Sequence, residues 1–172
     1  MLKLLAKGGG LGVVTALAFA ADPGVAQAAL GPDAAACRAG SNQPAVLVNV
    51  SGFKARSGNV RVNVYGGDPA RFLERGQYIR QVNIPVSRGG TMPICVSLPG
   101  AGRYAVAVRH DVDGNGRSGW SDGGGFSRNP RLSLTNLRPR YENVAINVGR
   151  GVAPVNVTLL YRFGLSVRPA AG

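Results

Sequence analysis

From Val46 onward apolar residues recur at every second position, the period of a pleated strand whose successive side chains point to opposite faces. Val46, Val48 and Val50 form the first such set, and Val60, Val62 and Val64 the second. Val82, Ile84 and Val86 follow, then Ile94, Val96 and Leu98, then Tyr104, Val106 and Val108. Val144, Ile146 and Val148 precede a final set of Val155, Val157, Leu159 and Tyr161. No helical period of useful length competes. The sequence therefore predicts an all-β domain over residues 45–163, a single antiparallel β-sandwich of about seven strands. Ser57-Gly58-Asn59, Arg88-Gly89-Gly90 and Gly149-Arg150-Gly151 punctuate it and read as hairpin-type connections. The link from Asp68 to Gly76, with Pro69 inside it, has room for one helical turn, and residues 164–172 read as a flexible tail.

Upstream of the strands, Lys3 and Lys7 precede an apolar stretch over residues 11–20, and small residues follow at Ala26 and Ala28. This is the layout of a signal peptide over residues 1–28, and the apolar run is about half of the roughly twenty residues that a membrane span needs. The expected product is a periplasmic or secreted monomer with no transmembrane segment, beginning with an N-terminal extension over residues 29–44. In an oxidising compartment its two cysteines, Cys37 and Cys95, are expected to pair. Cys95 has the opposite parity to Ile94 and Val96, so it should point away from that strand's apolar face and meet an extension laid across the outside of the sheet. Two cysteines and the single His110 are too few ligands for a structural zinc site.

The chain carries a net charge of +12, and seventeen of its twenty cationic residues are arginines scattered from Arg38 to Arg168. Such a field attracts anionic partners, an envelope polymer or nucleic acid, and is equally the mark of a solvated arginine-rich surface. The densest group is Arg128, Arg131, Arg138 and Arg140.

One connection is too long for a turn and has chemistry in it. It begins Asp111-Val112-Asp113-Gly114-Asn115-Gly116-Arg117 and continues to Asp122. The spacing matches the calcium-loop pattern D-x-[DN]-x-[DN]-G-x5-E with Asp in the last place. Side-chain oxygens of Asp111, Asp113 and Asn115, the backbone carbonyl of Arg117 and the carboxylate of Asp122 are the expected ligands, with Gly116 permitting the turn. A strand precedes the loop, so the helix-loop-helix arrangement is absent. The same Asp-Gly and Asn-Gly pairs also suit a metal-free turn, and both readings stay open.

Catalysis has weaker support. His110 and Asp111 are adjacent on a strand and point to opposite faces, and Ser118, Ser121 and Ser127 lie in no nucleophile motif, so no catalytic residue and no enzyme is expected. His110 shares the parity of Val106 and Val108 and reads as capping the core edge. Trp120 is expected to fold back onto the sheet, the alternative being a platform on which a ligand stacks.

The stretch Leu98-Pro-Gly-Ala-Gly-Arg-Tyr-Ala-Val-Ala-Val-Arg-His-Asp-Val-Asp-Gly-Asn-Gly-Arg117, with Gly125-Phe-Ser-Arg-Asn129, resembles the DUF2141 family of uncharacterised exported bacterial proteins. The resemblance runs from about Val46 to Tyr161. It implies a prealbumin-like or immunoglobulin-like β-sandwich and no established activity. Between Gly116 and Gly125 this chain lacks the family's Leu-Asp-x-Asn and Pro-x-Glu-Gly-Tyr stretches.

Overall fold

The computed structural model describes residues 28–170, so the signal-peptide reading lies outside the described residues apart from Ala28. The alternating segments become strands β1 (Ala45–Ser51), β2 (Asn59–Tyr65), β3 (Arg80–Pro85), β4 (Met92–Ser97), β5 (Gly102–Asp111), β7 (Ala145–Val148) and β8 (Val152–Thr158), and β6 (Gly123–Phe126), β9 (Leu160–Phe163) and β10 (Ser166–Pro169) join them. They form a β-sandwich: a three-stranded sheet in the order β4-β1-β8 faces a seven-stranded sheet in the order β10-β9-β6-β5-β2-β3, in which β7 also pairs with β5. Every pairing is antiparallel except β1 with β8, which run parallel. Val46, Val48, Val50, Val60, Val62, Val64, Ile94, Val96, Val106 and Val157 fill the interior from both sides. No helix among the described residues is long and apolar enough to cross a membrane.

The three connections expected to be hairpins are not hairpins. Each carries the chain from one sheet to the other: β1 to β2, β3 to β4 and β7 to β8. Gly, Asn and Ser supply the same backbone freedom to an inter-sheet arch as to a tight turn. The last alternating set is likewise divided, with Val155 and Val157 in β8 and Tyr161 in β9 of the opposite sheet. Leu159 lies at the crossing, fully buried, its amide donating to the Ser51 carbonyl. Val144 ends a single helical turn (Tyr141–Val144) and packs with Tyr65, Phe72 and Tyr141 against the outer side of the larger sheet. The 68–76 link does contain a 3-10 turn (Pro69–Arg71), capped by the Asp68 carboxylate, which accepts from the Ala70 amide at 3.0 Å.

The tail also differs from expectation. Gly164, at φ +57°, turns the chain so that β10 pairs with β9, with Ser166 opposite Phe163. Val167 is the one aliphatic residue of β10, so there was no alternation to show a strand.

The N-terminal extension lies on the three-stranded sheet as the parity of Cys95 required. Cys37 and Cys95 form a disulfide with Cα atoms 5.9 Å apart. Ala36, Ala45 and Cys95 are buried together outside the main core. Leu30 donates to the Pro93 carbonyl at 2.7 Å and accepts from the Cys95 amide at 3.0 Å, while the Asp33 carboxylate takes both the amide and the hydroxyl of Ser97 at 2.9 Å. The extension thus occupies the free edge of β4, which would otherwise present unpaired backbone groups.

Candidate metal loop and the face beside it

The long loop leaves the end of β5 and returns along β6, and its root is fixed from the β1–β2 arch. His110, fully buried, has Nε2 2.9 Å from the Ser57 carbonyl and Nδ1 2.6 Å from the Tyr161 hydroxyl. A carbonyl only accepts, so in the neutral imidazole Nε2 carries the proton and Tyr161 donates to Nδ1. Burial pushes the Tyr161 phenol up, against smaller opposing effects of the Lys54 amide and the Arg56 charge. The Ser57 hydroxyl donates to the Val112 carbonyl at 2.9 Å. Gly58, at φ +70°, presses so closely on the loop that an added Cβ would lie 1.8 Å from the Asp111 carbonyl oxygen.

Within the loop the structure brings Asp111, Asp113 and Asp122 together, each offering a carboxylate oxygen within 4.8 Å of the other two. Asp111 Oδ2 accepts from the Gly116 amide at 2.8 Å and lies 3.4 Å from the Arg109 guanidinium. Its Oδ1 is buried with no hydrogen-bond partner. An unpaired buried carboxylate oxygen costs free energy, and a bound cation removes that cost, so the donor set fits a hard divalent ion. Burial pushes the Asp111 carboxyl up. The Gly116 amide, the Asp113 carboxyl, the Arg109 guanidinium and the Asn115 amide together outweigh it and hold the group below the usual carboxylate range. Asp122 is held by the Val112 amide at 3.1 Å on one oxygen and the Gly119 amide at 2.9 Å on the other.

Asn115 does not join the carboxylates as a free ligand. Its side-chain oxygen accepts from the Arg117 amide at 2.7 Å and its side-chain nitrogen lies 2.6 Å from Asp113 Oδ2. The Arg117 side chain is exposed. The residue missed from the sequence is Arg109, whose guanidinium donates to the Gly116 carbonyl at 3.0 Å and to the Ser118 hydroxyl at 3.1 Å. Strand parity places Arg109 on the face of Asp111, and that was the available signal.

Of the serines, Ser127 is buried, where its hydroxyl accepts from the Val106 amide at 3.0 Å and donates to the Val144 carbonyl at 2.5 Å. It thereby fills the gap on the β5 edge between β6 and β7. Neighbouring signature residues also bind the sheets together. A Cβ on Gly125 would come within 2.7 Å of Val157 and of the Thr158 carbonyl, and Asn129 accepts from the Thr158 amide at 2.8 Å. Trp120 does not fold back onto the sheet: it is 78% exposed, with the Arg162 guanidinium 3.9 Å over its ring. The glycine-rich segment around it contributes no apolar side chain beneath which it could be buried.

Comparison with known proteins adds one finding. The family model DUF2141, described as an uncharacterized protein conserved in bacteria, matches residues 48–156. No curated protein and no solved structure matches the chain.

Proposed function

The chain belongs to the DUF2141 family, and on that premise we propose that it acts outside the cytoplasm as a non-catalytic β-sandwich module whose 111–122 loop is ordered by calcium. The observation that carries this reading is the buried, unpartnered Asp111 Oδ1 beside the carboxylates of Asp113 and Asp122. Oxygen-only donors suit calcium, magnesium or manganese rather than zinc or copper. Exposed loop ligands such as Asp113 suit calcium, which accepts irregular geometry, better than magnesium, which demands an octahedron. Three carboxylates with Arg109 leave two negative charges, matching a divalent ion, and the ion can use Oδ1 while Arg109 and Gly116 keep Oδ2. The expected affinity is that of extracellular modules, on the order of 10⁻⁴ to 10⁻³ M. Export is supported by the Cys37–Cys95 disulfide together with the Lys3 to Ala28 layout.

Calorimetric titration of the disulfide-intact protein with calcium tests the loop. Saturable heat and a raised unfolding temperature are expected for the wild type, and neither for Asp113→Ala. Calcium at ten times its dissociation constant should stabilise the wild type by about 1.4 kcal/mol. Absence of heat up to several times 10⁻³ M, the weak end of the range, would leave the loop as a metal-free turn.

A further inference from the structure

The outer side of the seven-stranded sheet carries an arrangement that the cation loop does not explain. In the β2–β5 register Arg61 stands directly opposite Arg109, so two guanidinium side chains share one face of adjacent strands. Like charges so placed destabilise a sheet unless something compensates them. Arg109 is compensated by Asp111. Arg61 makes no hydrogen bond or ion pair with any described residue, and the Nε atoms of both arginines are buried without partners. An uncompensated positive charge is therefore held in place by the fold.

The pair lies in a concavity of about 290 Å³ whose polar wall includes Arg61, Asn63, Arg109, Ser118 and Arg138 and whose apolar wall includes Phe126 and Leu137. No acidic residue lines it. A second concavity, of about 270 Å³, shares Arg109, Ser118, Phe126 and Leu137 and extends the groove to Trp120 and Arg162, with the Asp122 carboxylate on that part of the wall. Ser118 accepts from Arg109, so its own hydroxyl proton is free to donate.

We infer that this groove binds a sugar acid, as a free molecule or within an acidic glycan, with its carboxylate on the Arg61 guanidinium and the Arg109 charge beside it. A planar carboxylate fits the guanidinium fork, hydroxyl groups find Asn63 and Ser118, and the C–H face of a pyranose lies against Phe126 and Leu137. A bare phosphate would use the charge and leave the apolar wall idle. Single-stranded nucleic acid calls for a series of stacking aromatics along a groove, and of the aromatics lining this one Trp120 alone is largely exposed.

The carboxylate contact is assigned to Arg61 on β2, outside the 111–122 loop that supplies Ser118 and Trp120, so Arg61 variants test this site and Asp113→Ala tests the loop. Calorimetry with oligogalacturonate and with monomeric galacturonate, in chelator and at low salt, should give saturable binding that weakens as salt is raised. The monomer arm separates a free sugar acid from a chain. Arg61→Met should weaken binding roughly tenfold or more, as expected for losing a charged hydrogen-bond partner. Because it also removes the opposed charge, its unfolding temperature should be equal to or above that of the wild type. Arg61→Lys should bind at an intermediate level. No binding of either probe, or equal binding by a neutral galacto-oligosaccharide, overturns the inference. So does binding that survives Arg61→Met, or tighter binding of inorganic phosphate or single-stranded DNA lost in that variant.

Discussion

The two sheets treat their outer faces in opposite ways. On the three-stranded sheet, residues 29–44 lie over Ala45, Cys95 and Val152 and are locked there by the disulfide. On the seven-stranded sheet, aromatic packing covers Ala105 through Tyr65, Phe72, Tyr141 and Val144, while Arg61, Arg109 and the groove beside them stay open. One face is closed by a segment with no other visible task. The other leaves the Nε atoms of Arg61 and Arg109 without hydrogen-bond partners among the described residues, and the sugar-acid proposal rests on that face.

The most disruptive way to break that contrast is to open the closed face. Replacing both Cys37 and Cys95 by serine removes a link across 58 residues, worth about 4 kcal/mol in the chain-entropy account. Urea unfolding should show a loss of that size, with proteolysis beginning in residues 29–44. A loss below about 1 kcal/mol would mean that Leu30, Asp33 and the β4 edge hold the extension without the disulfide.

Next in size is the junction between the β1–β2 arch and the 111–122 loop. Gly58→Ala puts a methyl group against the Asp111 carbonyl at a positive φ, and either the arch or the loop must move. The expected cost is on the order of 3 kcal/mol, with loss of calcium heat and the disulfide face unaffected. Retained calcium binding would show that the arch does not brace the loop.

How far the fold was legible depends on what alternation reports. It gives the face of each side chain, so it located β1 to β5 and put Cys95 on the outside, but it is silent on partners. A strand that stays in its sheet and one that crosses at Leu159 look the same in sequence. β6 was hidden because three of its four residues are glycine, and its reason is steric: a Cβ on Gly123 would sit 2.3 Å from the Tyr161 ring. The carboxylates of the loop were legible because their spacing is local. Arg61 and Arg109 were not, because they are opposed only through pairing of β2 with β5, which lie 48 residues apart by the register Arg61↔Arg109.

Tyr161 links the core to the loop, and its removal should be smaller in effect. Tyr161→Phe keeps the ring and deletes the hydroxyl that donates to His110, costing about 1–2 kcal/mol at neutral pH. The phenol also predicts an alkaline response. Burial raises Tyr161, Tyr141 and Tyr65 above the ordinary value of 10.0, so above that pH the unfolded chain loses protons that the folded chain keeps. The folded state then binds more protons, and stability must fall as pH rises through this range. Urea midpoints from pH 9 to 11 should decline in the wild type and less steeply in Tyr161→Phe; equal slopes would assign the decline to the other two.

The smallest effect belongs to Trp120, and its smallness sharpens the contrast. A tryptophan buried on a sheet costs several kcal/mol when cut to alanine. This one is 78% exposed and has Arg162 over its ring, so Trp120→Ala should lose less than about 1 kcal/mol by circular dichroism, the contribution of an exposed cation–π pair. A large aromatic ring held in water at the end of a cationic groove contributes little to folding. Fluorescence of this single tryptophan should therefore respond to galacturonate while its removal leaves the urea midpoint nearly unchanged. A large loss of stability would instead place Trp120 with the residues that close the face, and the open groove would end before reaching it.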